Sequence, residues 1–219
     1  MEDSSSNGKE NHTTHFRNVT KSIYDLQNSL KVNEATIMKK YFSELPEIKM
    51  RETYALNVAK TIYPKIANPS HRGGFERKFI EFIDSDSKIK CFMKINEYYH
   101  EFANLTYLRD DGMLSNYYPD FIVRIDNKIF LVETKAERDL KDANVKQKRL
   151  AAIDWIDKIN DLKPEDRMNC KWNYVLLGEN TFYGMSEKGA ETKEILEYAI
   201  LTKAQVKGTL GDYVGIKEY

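Results

Sequence analysis

The chain is poor in cysteine, has no long apolar run and carries no excess of charge of either sign. Its two cysteines, Cys91 and Cys170, form no CxxC pair, which argues against a disulfide scaffold or a zinc site and favours a reduced, cytoplasmic setting. No run of eighteen apolar residues occurs, so no membrane span is predicted. The 34 basic and 34 acidic residues cancel, which argues mildly against a strongly basic nucleic-acid binder. A GxxxxGK[ST] phosphate loop is also missing, so ATP binding by that route is not expected.

The remaining composition is that of a globular domain preceded by a distinct N-terminal region. Hydrophobic residues make up 41% and charged residues 31% of the 219 residues. Residues 1–14 are polar, lack the apolar stretch of a secretory signal and are predicted to be a disordered tail. Helical spacing over 17–44 and a second predicted helix over 47–66 suggest a helical lead-in or docking segment at 15–67. Residues 68–205 are predicted to form the core, with a C-terminal tail at 206–219.

Within the core, the order of predicted elements indicates an α/β fold. A helix starting at Phe75 is followed by strands in IKCFMKI and ANLTYLR, a turn in RDDGM, and a hairpin formed by SNYYPDFIVRI and KIFLVETK. A helix over 143–161, a buried strand over 172–178 and a last helix over 187–205 complete the set, and GENTFYG is predicted to be a loop. This order predicts a mixed central sheet flanked by helices.

The hairpin is the stretch whose chemistry is most informative. If Asp126 and Asn127 form a two-residue turn, paired residues sum to 253, and Asp120 faces Glu133. Their Cβ atoms would lie roughly 5 Å apart, with Lys135 on the same face because side chains alternate along a strand. Pro119 would end the ladder next to Asp120.

Two opposed carboxylates repel each other, so a shared proton or a bound cation is needed to offset the repulsion. Oxygen-rich carboxylate sites suit Mg²⁺, and a lysine alongside could neutralise charge on a phosphate. The hairpin is therefore interpreted as a metal site. The alternative is a solvated hairpin rim, where isolated charges at strand ends have no function.

Pro119-Asp120 followed by Glu133-Thr134-Lys135 resembles the PD-(D/E)XK nuclease motif. Over residues 68–205 the sequence is similar to the C-terminal endonuclease domain of type III restriction enzyme Res subunits. The similar segments include GGFERKFIEFIDSDS, NYYPDFIVR, FLVETKAERDL and VKQKRLAAIDW. The resemblance implies a restriction-endonuclease-like fold. It also implies that Asp120, Glu133 and the Thr134 carbonyl hold Mg²⁺ or Mn²⁺, while Lys135 positions or deprotonates the attacking water.

Three further residues are site candidates with alternatives attached. Glu76 matches the family's acidic residue on the helix before the sheet and would orient Lys135 or bind a metal through water. Otherwise it compensates a helix dipole, worth under about 1 kcal/mol. Lys148 would contact the scissile phosphate, with Gln147 as the substitute, or Lys148 would only extend along a helix edge.

The expected function is a Mg²⁺-dependent endonuclease of restriction or phage-defence type acting on DNA. In that family the nuclease is coupled to a helicase motor and a methyltransferase partner, so the chain would be a domain fragment or a separate subunit. The alternatives are a non-cleaving docking subunit of such a complex, or a nuclease acting on RNA or repair intermediates.

Overall fold

The computed structural model describes residues 21–22, 37–69, 74–136 and 143–207, apart from the side chains of residues 143, 144 and 207. The strands are β1 (Ala55–Asn57), β2 (Lys65–Ala67), β3 (Ile89–Lys94), β4 (Leu105–Leu108), β5 (Leu114–Tyr117), β6 (Phe121–Ile125), β7 (Lys128–Lys135) and β8 (Lys171–Gly178). The α-helices are α1 (Phe75–Ser85), α2 (Ala143–Asn160), α3 (Glu179–Ser186), α4 (Thr192–Tyr198) and α5 (Lys203–Lys207). The described helices include none that is both long and apolar enough to cross a membrane.

A four-stranded mixed sheet in the order β3-β6-β7-β8 forms the centre of the fold. Strands β3, β6 and β7 are antiparallel, whereas β8 runs parallel to β7 after the crossover through α2. Two-stranded hairpins, β1–β2 and β4–β5, accompany this sheet. The prediction of a mixed sheet flanked by helices is therefore confirmed at this level.

Strand alternation divides the core into two hydrophobic clusters. One cluster joins α1, α3 and α4 to Phe121, Val132 and other sheet residues, and the β2 residue Ile66 belongs to it. The other joins α2 and the β4–β5 hairpin to Ile122, Leu131 and Tyr174. Residues from both faces of β6 and β7 are buried, which is why these strands read as near-continuous apolar runs.

The predicted hairpin register is confirmed by five residue pairs, from Phe121–Val132 to Ile125–Lys128. Asp126, in the turn, adopts φ 51°, a conformation that Asp and Asn tolerate. SNYYPDFIVRI is nevertheless not one strand, and that part of the prediction is wrong. It is divided into β5 and β6, which belong to different sheets, because Pro119 between them has no N–H to donate.

The helix predicted over 47–66 is wrong, since this stretch contains the β1–β2 hairpin. Its conformation depends on distant partners: the Asp84 carboxylate accepts the N–H groups of Ala59 and Lys60, and Lys60 O accepts the N–H of Phe92. The helix predicted over 17–44 lies mostly outside the described residues. Its described last part, residues 37–44, contains a 3₁₀ turn at Phe42–Glu44 and no α-helix.

The C-terminal predictions also need correction. GENTFYG is mostly helix α3 rather than a loop, and the last helix is interrupted after Tyr198. There the backbone joins the edge of β8, because Leu176 N donates to Ala199 O and Leu201 N donates to Tyr174 O. Hydrogen bonds to an open sheet edge replace those of a continuous helix. The tail predicted at 1–14 lies outside the described residues, and so does the tail predicted at 206–219 apart from residues 206 and 207, which belong to α5.

Candidate active site

The predicted carboxylates and lysine lie where β7 ends and β6 begins. Glu133 and Lys135 occupy alternate positions of β7 and share the sheet face of Leu131. Asp120 stands immediately before β6, and its N–H donates to Val132 O at 3.0 Å. The regular ladder stops at Phe121, so Asp120 is adjacent to Glu133 without being a ladder partner.

Glu133 is a buried carboxylate with a partner on each oxygen. Its relative exposure is 5%. The Tyr117 hydroxyl donates to Oε2 at 2.8 Å, and Lys135 Nζ lies 2.5 Å from Oε1. Burial, and secondarily the charge of Asp120, raises the pKa of Glu133 to about 7 despite both partners. The cost of burying the charged form therefore outweighs the stabilisation that the two partners give it.

Asp120 is held by the residue that separates Glu133 from Lys135. Both the N–H and the hydroxyl of Thr134 donate to Asp120 Oδ2, each at 2.7 Å. The resemblance to PD-(D/E)XK nucleases implied that the Thr134 carbonyl is a metal ligand. The structure gives Thr134 a second role, since its two donors fix the orientation of the neighbouring carboxylate.

Glu76 reaches the same end of the sheet from α1. It forms an ion pair with Lys94 at the end of β3, and both side chains are mostly shielded from solvent. Lys94 Nζ also lies over the Phe121 ring, 5.2 Å from its centroid. The described partner of Glu76 is thus Lys94, and the predicted action of Glu76 on Lys135 stays a prediction.

Lys148 and Gln147 approach from the first turns of α2. Lys148 Nζ lies 5.8 Å from the Tyr107 centroid and 5.7 Å from the Tyr117 centroid. Because Tyr117 is bonded to Glu133, this ammonium borders the site. Gln147 Nε2 instead donates to Asp110 Oδ1 at 3.2 Å in the β4–β5 turn. The structure therefore favours Lys148 over Gln147 as the residue near the carboxylates.

Three residues behind Glu133 were not predicted from the sequence. Tyr117 bonds directly to it, and the hydroxyls of Tyr117 and Tyr174 lie 3.1 Å apart. Arg149, partly buried on α2, interacts electrostatically with Glu133 and both tyrosines. The only signal in the sequence was strand alternation, which puts Tyr174 on one face of β8. Nothing local indicated that Tyr117, in a different small sheet, would reach β7.

The donor set is compatible with a hard divalent cation but incomplete as a protein cage. Mg²⁺ is held in many sites by one or two carboxylates and retains several waters. Asp120 and Glu133 supply two such groups, and burial raises the pKa of Glu133 to about 7. Among the described side chains, no three of the types His, Cys, Asp and Glu are grouped so as to hold a metal.

One fully buried histidine has a structural role. His100 is fully buried, its Nδ1 accepts the N–H of Asn96, and its Nε2 lies 3.3 Å from the Tyr63 hydroxyl. Cys91 and Cys170 are free thiols.

Comparison with known proteins gives no relative: neither a family model nor a curated protein nor a solved structure matches the chain.

Proposed function

We propose that this chain is a Mg²⁺-dependent endonuclease, of the restriction or phage-defence type, that hydrolyses DNA phosphodiester bonds on a restriction-endonuclease-like fold. The single observation that carries the proposal is the meeting of Asp120, Glu133 and Lys135 at one end of a hairpin. Two neighbouring carboxylates, one of them paired with a partly exposed lysine, form a site that fits phosphate chemistry better than packing.

Asp120 and Glu133 would hold the cation, which when bound supplies charge stabilisation to a phosphoryl oxygen and lowers the pKa of water. Thr134 keeps Asp120 oriented through two hydrogen bonds. Lys135, whose side chain is 26% exposed, is accessible to a substrate and would position the attacking water or neutralise charge on the phosphate. Lys148, whose ammonium lies 5.7 Å from the Tyr117 ring centroid, would contact the phosphate.

The zero net charge bears on how DNA is bound. A chain with 34 residues of each sign neutralises few phosphates, so its own affinity for DNA should be weak and strongly reduced by salt. A helicase motor or methyltransferase partner that holds the DNA would supply the missing affinity.

Nicking of supercoiled plasmid in Mg²⁺ or Mn²⁺ tests the proposal, with Asp120→Asn and Lys135→Ala as the site variants. The chain offers matched controls on the same hairpin. Asp126→Asn makes the same change at the exposed turn, and Lys128→Ala removes the lysine at the opposite end of β7. We expect the site variants to lose roughly 10²-fold or more in nicking rate, with both controls active.

Equal nicking by all five proteins would indicate a contaminating nuclease and reject the proposal. The absence of nicking by the parent chain, together with retention of a helicase or methyltransferase, would favour the docking alternative. Parallel assays on single-stranded RNA, single-stranded DNA and flap substrates distinguish cleavage of duplex DNA from cleavage of RNA or repair intermediates.

A further inference from the structure

The hydroxyl of Tyr117 is placed to hold Glu133 from behind. Tyr117 is itself only 4% exposed and comes from β5, outside the central sheet. Its hydroxyl contacts Glu133 Oε2, whereas Lys135 contacts Oε1 from the more exposed side. The two oxygens of this carboxylate therefore have different partners: a buried phenol contacts Oε2 and a partly exposed lysine contacts Oε1.

The direction of the hydrogen bonds follows from the acceptor. An ionised carboxylate can only accept, so Tyr117 must donate its proton to Glu133. The Tyr117 oxygen can then accept from Tyr174, a residue that is 2% exposed and whose hydroxyl is 3.1 Å away. Two successive donors thus point toward Glu133, and such chains polarise one another in a low dielectric. Arg149 adds positive charge on the same side.

We propose that Tyr117 is a positioning residue for the metal site, with Tyr174 supporting it: the phenol fixes Glu133 through Oε2 so that Oε1 is the oxygen presented to an incoming cation. This inference rests on the proposed function. Groups that hydrogen-bond a ligating carboxylate commonly contribute 10- to 100-fold in metal affinity or activity.

Binding of Mn²⁺ to the full chain, measured by calorimetry or by loss of the free-ion paramagnetic resonance signal, tests the inference without relying on cleavage. Tyr117→Phe removes one oxygen atom and keeps the ring under Lys148. Tyr107→Phe is a matched control, because Tyr107 is 5% exposed and its ring also faces Lys148. We expect a roughly 10- to 100-fold weaker Mn²⁺ affinity for Tyr117→Phe, a smaller loss for Tyr174→Phe, and no change for Tyr107→Phe.

The outcomes distinguish the two proposals. If the parent chain binds Mn²⁺ and Glu133→Gln abolishes binding, but Tyr117→Phe and Tyr174→Phe bind normally, the role of Tyr117 is overturned while the metal site stands. If Mn²⁺ binding is absent or insensitive to Glu133→Gln, both proposals fall. Urea unfolding checks that each variant is folded. Should Tyr117→Phe not fold, Tyr174→Phe decides the question. Unchanged Mn²⁺ affinity in that variant would contradict a role for the successive hydrogen bonds from Tyr174 to Tyr117 and from Tyr117 to Glu133.

Discussion

Glu133→Gln should make the metal-free protein more stable at neutral and alkaline pH. The folded state raises the pKa of Glu133 from 4.5 to about 7, because burial and Asp120 disfavour the charged form more than Lys135 and Tyr117 favour it. Below pH 4.5 the carboxyl is protonated in both the folded and the unfolded chain. As the pH rises toward 7, the unfolded chain ionises first, and stability is lost until the folded carboxyl ionises too.

The size of this loss follows from the difference between the two pKa values. At 1.36 kcal/mol per pKa unit, a rise from 4.5 to about 7 corresponds to about 3 kcal/mol of destabilisation at pH 8. Glutamine has the same shape, stays neutral and can still accept the Tyr117 hydrogen bond. Between pH 4.5 and pH 8, the free energy of unfolding of Glu133→Gln should therefore rise by about 3 kcal/mol relative to that of the parent chain. Most of this rise should occur between pH 5 and 7.

Urea unfolding in EDTA at half-unit steps from pH 4.5 to 8.5 measures this difference. Glu197→Gln is the control, because Glu197 forms a surface ion pair with Lys128 and such a pair contributes only about 0–1 kcal/mol to stability. Parallel stability curves for the parent chain and Glu133→Gln over the whole pH range would refute the reasoning. They would mean that ionisation of Glu133 does not oppose folding.

Three other substitutions give distinct results. Lys135→Met should reduce plasmid nicking by roughly 10²-fold or more. Its Mn²⁺ affinity, measured by calorimetry, should stay the same or rise, because a cation next to Glu133 is removed. Weakened Mn²⁺ binding would contradict this prediction. Thr134→Val should lower Mn²⁺ affinity about 10-fold by removing one of the two bonds to Asp120, and Thr134→Ser should restore it; an unaffected Thr134→Val would show that the hydroxyl is dispensable. Burial lowers the pKa of His100, so the stability that neutral His100 provides is present above about pH 6.5 and is lost on acidification. His100→Asn, which keeps an acceptor for the Asn96 N–H, should flatten this acid limb in urea titrations, and an unchanged slope would contradict the assignment.

The parts of the fold that the sequence predicted well are those set by local chemistry. The register of β6 and β7 follows from a two-residue turn at Asp126 and from side-chain alternation, both of which are readable in one short stretch. Helices α1 and α2 follow from their apolar periodicity. The convergence of Glu133 and Lys135 required only this local information.

The parts that were missed depend on contacts between distant residues. Helical spacing over 47–66 was overridden by the Asp84 carboxylate and by the backbone of β3. The last helix was interrupted because the edge of β8 offered hydrogen bonds at Leu176. Tyr117 and Tyr174 are 57 residues apart, and their contact exists only once β5 folds against the sheet.

The combined behaviour of Glu133 separates a catalytic interpretation of the site from a structural one. The ionised Glu133 destabilises the folded chain by about 3 kcal/mol at pH 8. A glutamine would pack at the same position without this loss of stability. Glu133→Gln should raise stability in EDTA on either interpretation, and if the site binds a cation it should also abolish both Mn²⁺ binding and nicking. Its stability should also stop responding to Mn²⁺, whereas the parent chain should gain stability as Mn²⁺ is added. A purely structural carboxylate would give the first result without the others, so measuring all four on one variant decides between the two.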